Sequence, residues 1–81
     1  MAARRPQKRS RAILYVDFED LRKLQSEVSS RASLQHDYLI SVHYSALLTV
    51  LEKSRGVVVL DKHEVFYKLF LIVYGIVNRK S

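Results

Sequence analysis

The apolar residues of this chain recur at helical spacing in three stretches, which are separated by polar residues and by two short runs of strand formers. In the first stretch, Leu21, Leu24 and Val28 lie three and four residues apart, which is the spacing of one face of an α-helix. This stripe predicts a helix over about 18–30, with Asp17 placed to cap its first turn.

A second, wider apolar face predicts a helix over about 34–54. Ser33 stands just before this helix as the expected N-cap. At the other end, Arg55 and then Gly56 follow the last turn, and a basic residue followed by glycine is typical of a helix C-terminus. Small polar residues repeat every four positions opposite the apolar face, and we interpret them as its solvent-facing side: Asp37, Ser41, Ser45 and Thr49.

The third predicted helix, over about 61–78, is apolar nearly all round. Asp61 is its expected N-cap, and Glu64 three residues later resembles a capping box. The apolar stretch is shorter than the roughly 20 residues that span a bilayer, so no membrane partner is expected. We expect a core helix that also contacts a partner protein, because a small domain cannot easily cover so much apolar surface. The residues expected at this partner interface are Val65, Phe66, Leu69, Phe70 and Val73.

Two short segments are rich in residues that favour strands. They cover residues 12–16 and 57–60, and the three consecutive valines of the second segment disfavour a helix. Whether the two segments pair as a sheet stays open at this point. The predicted fold is therefore mainly α with one or two short strands, in a single small domain over 12–81 that follows a disordered basic arm over 1–11.

The positive charge of the chain is concentrated at its ends. Lys and Arg total 14 against 8 Asp and Glu, which gives a formal net charge of +6, yet residues 12–78 are close to neutral. Basic arms bind polyanions through Coulomb attraction and counterion release, and they also serve as nuclear targeting patches. We therefore expect an intracellular protein, nuclear in a eukaryote, that binds nucleic acid. The expected phosphate contacts are Arg4, Arg5, Lys8, Arg9 and Arg11, with Arg55, Arg79 and Lys80 as further contacts.

The residue types that carry chemistry are sparse. There is no Cys, which excludes a disulfide scaffold, a thiolate zinc site and a cysteine nucleophile. The three histidines have no further ligands at metal-binding spacing, and there is no glycine-rich phosphate loop. We expect no enzyme, no cofactor, no metal and no small-molecule substrate.

One minor alternative is a fragment of a metal-dependent nuclease. Asp17 and Asp61 each follow a predicted strand, and the stretch from Tyr15 to Arg22 resembles the first motif of the NYN/PIN-like nucleases. That resemblance implies carboxylates at strand ends that hold a divalent ion. The later acidic motifs of those nucleases are missing from this chain.

Several segments of residues 33–81 carry a resemblance to a known family: Val42-His43, Leu47-Leu48, Val50, Glu52-Lys53-Ser54-Arg55, Leu60-Asp61-Lys62-His63-Glu64-Val65 and Ile76-Val77-Asn78-Arg79-Lys80-Ser81. On these segments the chain resembles the histone-fold family. The resemblance implies a short helix, a long helix, a loop with a short strand and a third helix. It also implies an obligate histone-fold partner and DNA contact through the loops and the arm.

A rival pattern over residues 10–51 resembles the ribbon-helix-helix family, with an extra helix at the C-terminus. In that family a paired strand enters the major groove of DNA with polar side chains. Here Ile13, Tyr15 and Asp17 would face the DNA, although isoleucine cannot hydrogen-bond to bases and aspartate repels phosphate.

The sequence as a whole predicts a non-enzymatic DNA-binding protein that acts as a homodimer or heterodimer and contacts phosphates with its basic arm. The alternative is a structural or adaptor subunit that docks on a larger protein through its apolar third helix.

Overall fold

Three helices and two short strands make up the part of the chain that the structure describes. The computed structural model describes residues 10–80. In chain order the elements are β1 (Arg11–Tyr15), α1 (Phe18–Leu34), α2 (Tyr38–Lys53), β2 (Val57–Asp61) and α3 (Val65–Lys80). The prediction of a mainly helical domain with one or two short strands is confirmed.

The two strands pair antiparallel, which answers the question that the sequence left open. Arg11 lies opposite Asp61, and Tyr15 lies opposite Val57. A backbone hydrogen bond extends the pair at each end. The Val16 N–H donates to the Gly56 carbonyl at 2.8 Å, and the Lys62 N–H donates to the Ser10 carbonyl at 2.7 Å. Ser10 and Arg11, which the sequence assigns to the arm, therefore belong to the folded part.

The boundary between α1 and α2 lies later than the sequence predicts. The first helix continues to Leu34, and the Ser33 hydroxyl donates to the Ser30 carbonyl inside it at 2.9 Å. Asp37 takes the capping role expected of Ser33, because its carboxylate accepts from the backbone N–H groups of Leu39 and Ile40 at 2.9 and 3.3 Å. A carboxylate with two such bonds at a helix N-terminus satisfies donors that have no partner within the helix.

The third helix begins at Val65, four residues after the predicted start. Asp61 is the last residue of β2, because pairing with β1 holds it in extended conformation. Its carboxylate accepts from the His63 N–H at 2.9 Å and so closes a turn between β2 and α3. Asp61 is thus a turn residue in the structure and does not cap the helix.

The core lies between the inner sides of the three helices and the inner face of the strand pair. All of the residues of the α1 stripe are buried, as the spacing predicts, and no polar or charged side chain among the described residues is buried. The Gln25 side-chain amide donates to the Leu51 carbonyl at 2.9 Å and ties α1 to the end of α2. The buried residues are Val16, Leu21, Leu24, Val28, Tyr44, Leu47, Leu51, Val58, Leu60, Phe70, Val73 and Val77.

Candidate binding surfaces

The outer face of the β1–β2 pair is apolar and exposed to solvent. Successive side chains of a strand point to opposite faces, so Val58 and Leu60 enter the core while their neighbours point outward. Antiparallel sheets with one solvated face normally carry polar residues along that face, whereas the strand residues on this one are apolar except at one end. The exposed fractions are 59% for Ile13, 80% for Tyr15, 46% for Val57 and 44% for Val59.

Among the outward residues of the two strands, charge is present at one end only. Arg11 and Asp61 lie opposite each other there, in register with the apolar pairs Ile13–Val59 and Tyr15–Val57. Arg11 is exposed and Asp61 is half-buried. From one end to the other, the outward strand residues are therefore one pair of opposite charges followed by two apolar pairs.

The basic residues that the sequence selects as phosphate contacts do not form one patch within the described part of the chain. Arg11 and Arg55 flank opposite ends of the strand pair, which are separated by about 17 Å in a five-residue strand. Arg79 lies in the last turn of α3. Arg4, Arg5, Lys8 and Arg9, together with the side chain of Lys80, lie outside the described residues.

The expected partner interface on α3 divides between the inside and the outside of the fold. Phe70 and Val73 are fully buried in the core of the chain, so they are not accessible to a partner in this fold. Phe66 and Leu69 are half-buried against the same core, and Val65 is half exposed. Because nearly every residue of α3 is apolar, the sequence does not show which side of the helix faces the core. Only the packing of α3 against α1 and α2 distinguishes the two sides.

A groove of about 350 Å³ runs along the outward side of α3. Leu71 and Ile72, which sequence reasoning missed as surface residues, are 46% and 53% exposed there. A Cβ added at Gly75 would meet nothing within 4 Å, so the chain's own packing does not require a glycine at this position. The groove is lined by Leu71, Ile72, Gly75, Ile76 and Arg79.

A second cleft, of about 260 Å³, lies where α1 turns into α2. Its two charged residues form an ion pair, with Arg31 Nε at 2.9 Å from Glu27 Oε2. Leu34, Tyr38 and Leu39 are also well exposed near this turn. The rest of the lining is Ser30, Leu34, Gln35 and Tyr44, so the cleft offers a ligand both polar and apolar contacts.

The described residues do not assemble a metal centre. No group of three or more His, Cys, Asp or Glu within residues 10–80 is placed to hold a metal ion. Asp17 follows β1 and Asp61 ends β2, and because the strands are antiparallel the two carboxylates lie at opposite ends of the sheet. They therefore cannot share a divalent ion as the nuclease alternative requires. The His43 Nδ1 contacts the Leu39 carbonyl at 2.7 Å within α2.

None of the helices within residues 10–80 combines the length and the apolar character needed to cross a lipid bilayer. Comparisons of the chain with protein-family models, with curated proteins and with solved structures gave no match.

Proposed function

We propose that this chain is a non-enzymatic DNA-binding protein that acts as a dimer and contacts phosphates with its basic arm. The observation that carries the proposal is the separation of charge along the chain. Residues 1–11 contain five basic and no acidic side chains, whereas the body that follows is close to neutral. Such an arm neutralises phosphates and releases counterions without the body having to be basic.

The fold supports this role because it fixes the point at which the arm leaves the body. The hydrogen bond between the Lys62 N–H and the Ser10 carbonyl anchors the chain just after the arm. Lys62 and Arg11 are both exposed beside this anchor, so positive charge continues from the arm onto the body. Phosphate contacts of this kind set affinity and orientation and do not select a sequence.

The test is the salt dependence of binding to a duplex DNA, measured by fluorescence anisotropy. The variant replaces Arg4, Arg5, Lys8 and Arg9 with glutamine, which keeps the length of the arm and leaves the described fold untouched. Each phosphate contact contributes a slope of about −0.9 in log K against log salt concentration. We therefore expect the variant to bind much more weakly at low salt, with a slope shallower by roughly 3–4 units if all four residues contact phosphates.

The matched control replaces Arg22 and Lys23, which are two exposed basic residues of α1, with glutamine. This control should leave both the affinity and the slope nearly unchanged. Equal affinity and equal slope for the arm variant and the wild type would contradict DNA binding by the arm.

A second candidate function is that of an adaptor subunit, and the groove on α3 favours it. The groove is apolar, and no residue of α3 is acidic, whereas Lys68 and Arg79 are exposed and stand three turns apart on its outward side. An amphipathic helix of another protein, with glutamates at the same spacing, would complement both the groove and its charges.

A designed peptide helix with an apolar stripe between two glutamates tests the adaptor function by fluorescence anisotropy. The adaptor function predicts that this peptide binds more tightly than its counterpart with lysines, and that Gly75→Leu, which fills the groove, abolishes the difference. Equal binding of the two peptides to the wild-type chain would contradict it.

A further inference from the structure

We propose that two copies of this chain pack face to face through the outer surfaces of their β1–β2 pairs. The proposal rests on the dimeric state in the proposed function and not on its DNA binding. The surface differs from the one expected from the sequence, which places the interface on the third helix. The proposal is based on the four exposed apolar residues of the outer sheet face, which are Ile13, Tyr15, Val57 and Val59.

The occupant of this face is a second copy because the face is complementary to itself. A two-fold axis that runs parallel to the strands, midway between the two sheets, places β1 of one copy over β2 of the other. Cross-strand neighbours stand at the same height along the strands. The rotation therefore sets Arg11 against Asp61 of the second copy, and Asp61 against Arg11 of the second copy. The apolar side chains face one another along the rest of the surface.

The other two-fold arrangement of two facing sheets does not bring Arg11 of one copy against Asp61 of the other. An axis across the strands would place Arg11 over Tyr15 of the second copy and Asp61 over its Val57. Arg11 and Asp61 would then each face an apolar strand residue of the second copy instead of an opposite charge. The distribution of charge on the face thus selects one symmetry, in which every contact occurs twice, as in isologous dimers.

The size of the face determines how tight the dimer is. The exposed parts of the four apolar side chains amount to roughly half of the about 800 Å² per partner that a stable interface buries. A dimer held by this face is therefore concentration-dependent, with monomer and dimer both populated. Sheets packed face to face lie about 10 Å apart, and the chosen axis brings both basic arms out at the same end of the dimer.

Sedimentation equilibrium over a series of micromolar to millimolar concentrations tests the proposal. The key variants are Arg11→Asp and Asp61→Arg, each as a full chain. Each variant alone places like charges against each other across the axis, and we expect its dimer to dissociate at concentrations at least tenfold higher than the wild type. An equimolar mixture of the two should dimerise as the wild type does, because the acid introduced at position 11 meets the arginine introduced at position 61.

The mixture distinguishes an effect of the substitutions on the dimer interface from an effect on the fold of each chain. Within each variant chain the cross-strand pair remains like-charged, so recovery in the mixture cannot come from a repaired sheet. Far-ultraviolet circular dichroism of each variant verifies that it is folded. If the wild type dimerises but the mixture does not, the proposed two-fold arrangement is wrong.

Two further variants distinguish the sheet face from the outward side of α3. Tyr15→Gln should abolish the dimer, and Leu71→Gln should leave it unchanged, since both residues are exposed and neither contributes to the buried core. A wild type that stays monomeric throughout, or a dimer that is lost with Leu71→Gln and kept with Tyr15→Gln, overturns the proposal. Arm-dependent DNA binding by a monomeric variant would show that the proposed function survives without this interface.

Discussion

Replacing Gly56 with alanine should destabilise the protein, whereas the same replacement at Gly75 should stabilise it. Gly56 has a φ of +99°, and it is the only residue with a positive φ in the described part of the chain. A Cβ added there would lie 3.1 Å from the Val16 carbonyl oxygen, which is backbone and cannot rotate away. Gly75 lies inside α3, and a Cβ added there meets nothing.

The magnitudes follow from these two environments. A side chain held at such a φ costs about 1–3 kcal/mol, and the reduced freedom of the unfolded chain returns about 0.4–1 kcal/mol. We therefore expect Gly56→Ala to lower the free energy of unfolding by about 1–2 kcal/mol. For Gly75→Ala we expect a gain of about 0.8–1 kcal/mol, which is the difference in helix propensity between the two residues.

Thermal unfolding followed by far-ultraviolet circular dichroism measures both effects. A change of 1 kcal/mol shifts the Tm of a domain of this size by about 4–8 °C, so the two variants should move in opposite directions by a resolvable amount. Both carry the same chemical change, and each serves as the control for the other. A Gly56→Ala variant as stable as the wild type would refute the reasoning about the turn before β2. A loss of stability in Gly75→Ala would mean that something packs closely against the outward side of α3 in solution.

Three further expectations concern the stability of the fold and are measured by urea unfolding. Asp37→Ala should lower the free energy of unfolding by about 1 kcal/mol because two backbone N–H groups lose their acceptor. Asp17→Ala should lower it less, since the Asp17 side chain makes no capping bond. Equal losses in the two variants would contradict the capping role of Asp37. Phe70→Ala should lower the free energy of unfolding by about 3–5 kcal/mol because its ring is fully buried. Leu71→Ala, on the outward side of the same helix, should lower it far less. A larger loss in Leu71→Ala than in Phe70→Ala would mean that α3 is rotated about its axis. Gln25→Ala should cost about 0.5–1.5 kcal/mol through loss of its bond to the end of α2; no measurable change would show that this bond contributes nothing to stability.

The helices and strands could be predicted from the sequence wherever a local pattern determines them. Leu21, Leu24 and Val28 form one stripe, and the valines from 57 to 59 favour an extended segment, so both elements appear where expected. The start of α2 could not be settled this way, because Ser33 and Asp37 are both good N-caps and the sequence does not show which hydrogen bonds form. Which of the two residues caps α2 depends on how far α1 continues before the turn.

The candidate surfaces were harder to predict because they depend on tertiary packing. In α3 nearly every position is apolar, so the sequence cannot show that Phe70 faces inward and Ile72 outward. The role of Asp61 likewise depends on the pairing of β2 with β1, which lies far away in the sequence. The apolar outer face of the sheet had a partial signal, since a run of valines places some of them outward in any strand. The exposed apolar surface can be identified only when β1 is paired with β2, because the residues of both strands form it.

The pairing of β1 with β2 also has a consequence for the order in which the protein folds during its synthesis. The paired residues are more than forty positions apart in the chain, and a ribosome adds residues at about 5–20 per second, so β1 emerges at least roughly 2 s before its partner exists. During that interval α1 and α2 can form a helical hairpin from local contacts, whereas the first strand has no ladder to join. Closing the sheet is therefore a late, non-local step of folding. Until that step the anchor of the basic arm at Lys62 does not exist, so a nascent chain carries its positive charge without a fixed position for it.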